Sequence, residues 1–290
     1  MKVSLPRFQT KSHIEIRPAR NDDWLSIERV LSRAERYYMG LEWWALHEWL
    51  GQPTFLLALD EQGRVLGLVL SIIGDGPIAW LRAISVASDR YLRPLLVASI
   101  ESIKERGGTG VTFLGDDGWI TSELRGTGFQ KINQVVTLRW MGSYRAENGP
   151  SDLIVRAAEV SDIDAILTVD QAAFAPLWWY DRDVLRRALN LAHCFDVAYR
   201  DDDCVGYQLS TLRNKRGHIV RLATHPRWQK KGIAGRLLST AIRTLEDAGA
   251  ASVTVNTQQD NQVSLHLYYR YAFQRIGQPS SVWFRSLEHE

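Results

Sequence analysis

The stretch "RLATHPRWQKKGIAGRLLSTAIRTLEDAGAASVTVN", Arg221 to Asn256, decides the fold. A strand-like run, His218 to Thr224, leads into the polar, basic loop Gln229-Lys230-Lys231-Gly232-Ile233-Ala234. After Gly232, residues Ile233, Leu237, Leu238, Ala241, Ile242 and Leu245 fall on one face at helical spacing. Arg236, Arg243, Glu246 and Asp247 take the other face, and Gly249 supplies a stop. The loop therefore sits at a helix N-terminus, where unpaired main-chain N–H groups and the helix dipole attract anions. Gly232 lets the chain turn and leaves room for oxygens against the backbone. Lys230 and Lys231 add positive charge, with Arg227 and Arg236 close by. A diphosphate suits such a loop, although neither the GxxxxGK[ST] nor the GxGxxG spacing is present. Taken alone, the loop reads equally as a basic helix start with a turn glycine.

The same frame occurs earlier in the chain. "IEIRPARNDDWLSIERVL" (Ile14–Leu31) resembles "LIVRAAEVSDIDAILTVD" (Leu153–Asp170), and Arg17/Arg156, Gly67/Gly206 and Arg82/Arg221 are each 139 positions apart. Hairpins with polar turns are expected at Asp60–Gly63 and Asp201–Asp203. Beyond the long helix the offset drifts, so that Val111-Thr112-Phe113 matches Val253-Thr254-Val255 and Gly126–Gln130 matches Arg270–Gln274. Each copy reads strand, helices, strand-turn-strand, strand, helix, strand, helix, strand. That order predicts an α/β (α+β) fold: two tandem domains, each a mixed, mostly antiparallel sheet flanked by helices, with one parallel crossover. The expected copies are residues 1–142 and 153–290, joined by a polar Gly- and Pro-containing linker at 143–152.

The 290 residues carry 35 basic and 33 acidic side chains, a formal charge of +2. That balance disfavours a general nucleic-acid binder. No apolar run approaches the roughly 20 residues of a membrane span, and no leader-like segment opens the chain, so a cytoplasmic protein without membrane partners is expected. Cys194 and Cys204 make neither a disulfide framework nor a metal site, and no metal is expected.

"HIVRLATHPRWQKKGIAGRLL" resembles the acyl-CoA signature of the GNAT N-acetyltransferase superfamily: a strand, an x-Pro, then Gln/Arg-x-x-Gly-x-Gly/Ala opening a helix. Downstream, "VTVNTQQDNQVSLHLYYRYAFQRIG" resembles the family's Asn-x-x-(small)-x-x-Leu-Tyr-x-x-x-Gly-Phe, with Asn261, Ser264, Leu267, Tyr268 and Phe273 in place and Ala272 where Gly is usual. The resemblance spans the second half. It implies acetyl-CoA as co-substrate, its pantetheine arm beside Leu222, Ala223 and Thr224, its diphosphate on Gln229, Lys230, Lys231, Gly232, Ile233 and Ala234, and Asn261 helping to hold the arm. It implies transfer of acetyl to a primary amine of a small molecule or protein, by direct attack, in a monomer or weak homodimer. A CoA-binding sensor without turnover, or a small-molecule acyltransferase using another acyl-CoA, is the alternative.

At the 139-residue offset the first copy places Arg93 at Gly232 and Pro94 at Ile233. Arginine brings a Cβ where phosphate needs close approach, and proline removes a donor. The first copy is therefore expected to have lost CoA binding. For chemistry, Tyr268 is the candidate acid, since a phenol stays protonated at neutral pH. In family members that acetylate protein N-termini a glutamate acts as base; counting back from Asn261, its position here is Asn256. His218 is the candidate base in its stead, with Asp260 and His266 weaker. Trp178, Trp179 and Tyr180 either wall an acceptor channel, stack on a cation, or pack. Asp181 and Asp183 either attract a cationic amine or serve a helix start.

Overall fold

The computed structural model describes residues 14–34, 36–41, 44–142, 150 and 152–288. Most of the expected linker, 143–149 and 151, lies outside them. In chain order the first copy forms β1 (Glu15–Pro18), α1 (Trp24–Arg33), β2 (Arg36–Met39), β3 (Phe55–Leu59), β4 (Val65–Ile73), β5 (Ile78–Val86), α2 (Leu92–Lys104), β6 (Gly110–Leu114), α3 (Gly118–Gly126) and β7 (Gln130–Trp140). The second forms β8 (Ile154–Ala157), α4 (Ile163–Ala173), α5 (Arg182–Leu191), β9 (Cys194–Arg200), β10 (Asp203–Arg213), β11 (Arg216–Thr224), α6 (Ile233–Asp247), β12 (Ser252–Gln258), α7 (Gln262–Arg270) and β13 (Phe273–Ser286). The expected mixed order is therefore observed. One departure is β2, a strand where the frame predicted helix.

Contacts divide the chain into two compact units. One comprises residues up to Ile72, Trp80–Gly108 and Asp117–Gly128. Here β1 pairs β3, β3 pairs β4, and β2 pairs β5. Its core gathers Ile27, Phe55, Leu57, Leu68 and Leu70. The other unit comprises Ile73–Ala79, Thr109–Asp116 and the chain from Phe129 onward, with strand order β6-β13-β7-β12-β11-β10-β9-β8. The units do not divide at one cut, because last strands are exchanged: β13 lies between β6 and β7, and β7 lies between β13 and β12. β11 and β12 pair in parallel, from Arg216/Ser252 to Ile219/Val255.

The amphipathic stripe of α6 is buried as expected, with Leu237, Leu238, Ala241 and Leu245 sealed against the sheet. Each such leucine contributes about 1.5–3 kcal/mol by burial. Gly206 permits the contact: a Cβ there would meet the Ala223 carbonyl at 2.7 Å and Leu237 at 3.2 Å. Gly67 does the same in the first copy, where a Cβ would meet Ser85 O and Leu95 at 3.0 Å. The repeat also extends to an ion pair. Arg17 grips Asp23 at 2.7 and 2.8 Å, and Arg156 grips Asp162 at 2.7 and 2.8 Å. Each aspartate also accepts a main-chain N–H three residues earlier, from Arg20 or Glu159. Among the described residues no helix is long and apolar enough to cross a membrane.

Candidate active site

One edge of β11 is left open where the sequence placed the pantetheine arm. Arg221 pairs Leu209 and Ile219 pairs Ser210, so Val220 is an extra residue, a β-bulge. On the other edge, β12 accompanies β11 only as far as Ile219. Beyond it, Leu222, Ala223 and Thr224 keep β10 on one side and, among the described residues, have no strand on the other. Such an edge offers its main-chain groups to an extended, amide-bearing ligand, as β-augmentation does.

The loop continues from that edge. Lys230 (φ 61°) and Gly232 (φ 80°) both adopt the left-handed conformation, and Gly232 is the N-cap of α6. Among the described residues, the main-chain N–H groups of residues 230–235 have no acceptor; the first to find one is Arg236, bonded to Gly232 O at 3.0 Å. The Lys231 ammonium lies 4.3 Å over the Trp228 ring, and the Gln229 amide reaches Thr224 O at 3.4 Å. Convergent donors, a helix N-terminus and positive charge together make an anion cradle.

The first copy shows the same seat filled. Ala83–Val86 of β5 stand at the positions of Leu222–His225, and β2 pairs with them: Arg36 with Val86, Tyr37 with Ser85, Tyr38 with Ile84, Met39 with Ala83. Gly67 of β4 abuts Ser85, as Gly206 of β10 pairs Thr224, so β4 holds one edge and β2 the other. Gly40 N extends the contact to Arg82 O at 2.7 Å. Arg93, at the position of Gly232, donates to Gly126 O at 3.0 Å.

Tyr268 on α7 is 5% exposed and packs on Phe273, ring centroids 5.6 Å apart. Burial raises its pKa well above the ordinary phenol value, so it holds its proton. His218 Nδ1 lies 2.9 Å from Thr254 Oγ1, whose hydroxyl donates to Gly217 O at 3.2 Å. With the Thr254 proton spent on Gly217 O, the network assigns the hydrogen to Nδ1. Asn256 is exposed, and its amide oxygen accepts from Thr137 Oγ1 at 2.9 Å. Asn261 caps α7, its oxygen accepting from Ser264 N at 3.1 Å, which leaves its NH2 for a ligand. Asp260 takes both oxygens' bonds from Asn133 Nδ2 at 3.1 Å.

The aromatic trio closes over a buried charge that residue-type reasoning missed. Arg221 donates to Asp170 at 2.9 and 2.7 Å, and Asp170 also accepts from the Tyr207 hydroxyl. Desolvation opposes the Arg221 charge, but Tyr207, Asp170 and Tyr180 outweigh it and hold the guanidinium protonated. Its Cζ lies 3.6 Å from the Phe174 ring centroid and 4.2 Å from that of Tyr180, and the guanidinium donates to Trp178 O at 2.6 Å. Trp179 Nε1 donates to Phe174 O at 2.8 Å. Tyr180 thus stacks on a cation, and the cation is internal. The available signal was Asp170 itself, a charge on the Ile163–Ile166 stripe of α4. Asp181 caps α5 through Val184 N at 2.7 Å; burial, and then Asp75 and Asp183, push its carboxyl up.

Residues 162–273 match the model of the acetyltransferase (GNAT) family. The matched residues lie wholly within the second half. An N-alpha-acetyltransferase of Saccharolobus solfataricus is 25% identical over 142 residues, covering 43% of this chain and 82% of that protein. Among solved structures, a GCN5-related N-acetyltransferase from Sphaerobacter thermophilus superposes with TM-score 0.62 at 15% identity, over 94% of this chain and 95% of the other. A tandem GNAT protein from the clavulanic acid biosynthesis pathway superposes with TM-score 0.61 at 12% identity, over 94% and 98%. At those identities the likeness is one of fold, and it extends over nearly the whole chain. The GNAT co-substrate is acetyl-CoA, and the open β11 edge with the unpaired donors of 230–235 fits it.

Proposed function

We propose that the second copy (153–290) transfers acetyl from acetyl-CoA to a primary amine by direct attack, and that the first copy (1–142) is a GNAT-like domain that has given up CoA. The observation that carries this is the open edge Leu222–Thr224 running into free donors at 230–235, against the same edge closed by β2 in the first copy. Acetyl-CoA, when bound, supplies the acyl group and a thiolate leaving group. The chain's own part is positional and protonic. Main-chain N–H groups along the open edge are available to a developing negative oxygen at no reorganisation cost. The amine forms the new N–C bond as the C–S bond breaks, losing one proton while the thiolate gains one. His218 accepts the amine's proton, directly or through water, and Tyr268 gives one to the thiolate.

The test is steady-state release of CoA across a panel of amines. Tyr268→Phe is expected to lower kcat about 100-fold with acetyl-CoA affinity unchanged. An unchanged kcat removes the acid role. Acetyl-CoA binding without turnover on any amine points instead to a CoA-binding sensor.

A further inference from the structure

The two copies differ again on the sheet face opposite α6 and α7, and the difference points to the acceptor. Val136, Leu138, Val253 and Val255 point into the core with α6 and α7. Alternation therefore sends Thr137, Arg139, Thr254 and Asn256 to the other face. Register aligns them in rows: Arg139 with Thr254 and Thr254 with His218, then Thr137 with Asn256. Arg139 and Asn256 are exposed, and the other three half-buried. In the first copy the same rows read Ala79, Thr112 and Phe284, then Leu114 and Val282. Ala79, Thr112 and Val282 are fully buried, and Phe284 and Leu114 half-buried. One copy has an apolar, sealed floor where the other has a polar, open one. Strand exchange supplies both, since Phe284 and Val282 come from β13 and Arg139 and Thr137 from β7.

Arg139 has no ion-pair or hydrogen-bond partner among the described residues. One hydrogen bond and one register pairing join its row to the candidate base: Thr254 Oγ1 holds His218 Nδ1 at 2.9 Å, and Thr254 is the register partner of Arg139. A guanidinium is a permanent cation whose fork matches carboxylate and phosphate oxygens. We infer that this floor seats the acceptor and that Arg139 reads an anionic group on it, so that the acceptor is an amine that also carries a carboxylate or a phosphate. This rests on the acetyl-transfer reading above, which left the acceptor class open. Thr137 and Asn256 offer neutral hydrogen bonds one row away, enough to orient an acceptor without charge. Arg139 is thereby a specificity residue donated to the second copy's site by the first copy's last strand.

Calorimetry on the CoA-loaded protein tests this without relying on turnover. Three amines of equal size serve as probes: one with a carboxylate, one with a phosphate, and the neutral amide of the first. The parent is expected to bind at least one anionic amine tenfold or more tighter than the amide. Arg139→Gln is expected to abolish that preference, Arg139→Lys to keep part of it, and both to leave CoA affinity unchanged, which also verifies the fold. The two anionic arms distinguish carboxylate from phosphate. Equal affinity for all three amines, no binding of any, or a preference that survives Arg139→Gln overturns the inference. Selective binding without acetylation removes the acetyl-transfer reading and leaves the Arg139 assignment standing.

Discussion

β5 and β11 are one strand written twice, and they differ in what lies along one edge. In β11 the bulge at Val220 parts the strand from β12, and residues 222–224 stay open. In β5 the equivalent edge is paired residue by residue with Arg36–Met39. Both copies retain the small residue behind the strand, Gly67 or Gly206, and both retain the arginine, Arg82 or Arg221. What surrounds that arginine has changed. Arg221 is neutralised by Asp170 beneath Tyr180, whereas Leu31 and Leu68 stand at the positions of Asp170 and Tyr207, and Arg82 lies 4.5 Å over Trp80 and donates to Gly40 O at 3.3 Å. A strand edge with unpaired amides and carbonyls must be satisfied by something. In the first copy the chain satisfies it with its own segment; in the second, among the described residues, it stays open. On the proposed reading, a frame would keep its core and lose its ligand through three local differences: a plugging strand, Arg93 for Gly232, and Pro94 for Ile233.

The largest effect should come from exchanging the turn residues. Gly232→Val forces a β-branched side chain into φ 80° and disturbs the cradle. Acetyl-CoA affinity is expected to fall tenfold or more, read by calorimetry. The reciprocal Arg93→Gly restores the small residue but leaves Pro94 and β2 in place, so stoichiometry should remain one CoA per chain. A second equivalent bound by Arg93→Gly would break the comparison, because it would make Arg93 alone responsible for the loss.

A smaller effect compares the repeated ion pairs. Arg156 is the leading cause holding Asp162 down at about 2, with Glu159 N and the Tyr199 hydroxyl (2.9 Å) assisting. Arg17 likewise leads in lowering Asp23, which among the described residues accepts from Arg17 and Arg20 N and has no tyrosine partner. Asp162→Asn is expected to cost on the order of 1–2 kcal/mol in urea unfolding at pH 7, less than the full linkage value because Arg156 is 42% exposed to screening solvent. Asp23→Asn should cost less. A carboxylate with a depressed folded pKa stabilises above its unfolded value of about 3.9, and that contribution fades as pH falls toward the folded value. The gap between parent and Asp162→Asn should therefore close between pH 4 and pH 2. A gap that persists at pH 2 would assign the effect to shape rather than charge.

What was legible in the chain was local or periodic. The α6 stripe, the loop at Gly232, the stop at Gly249 and the spacing of 139 all follow from neighbours a few residues apart. What escaped was pairing. "RYYM" at 36–39 carries no alternation that names its partner, and its seat on β5 is set some 47 residues away. The exchange of β7 and β13 was invisible for the same reason: alternation identifies a strand, and only packing chooses its neighbour. The polar floor was half legible, since His218 and Asn256 drew notice, but Thr137 and Arg139 belong to the other copy and join them only through that exchange. Asp170 was an available clue, because a charge on an apolar helix stripe demands a buried partner.

The mildest test concerns the turn that launches each last strand. Gly128 (φ 85°) and Ala272 (φ 59°) occupy the same place after α3 and α7, each donating its N–H three residues back, to Arg125 O and Tyr269 O at 3.1 Å. The left-handed conformation that glycine adopts freely costs an alanine about 1–2 kcal/mol. Glycine returns part of that gain through the greater entropy of its unfolded chain, about 0.4–1 kcal/mol. Ala272→Gly should accordingly stabilise the protein by roughly 0.5–1 kcal/mol, and Gly128→Ala should destabilise it by a similar amount. Unlike Gly232, neither position is argued to touch CoA, so the urea midpoint should move in opposite directions for the two variants while acetyl-CoA affinity stays put. A loss of affinity in Ala272→Gly would instead make the alanine methyl, which follows Tyr268 by four residues, part of what holds that tyrosine in place.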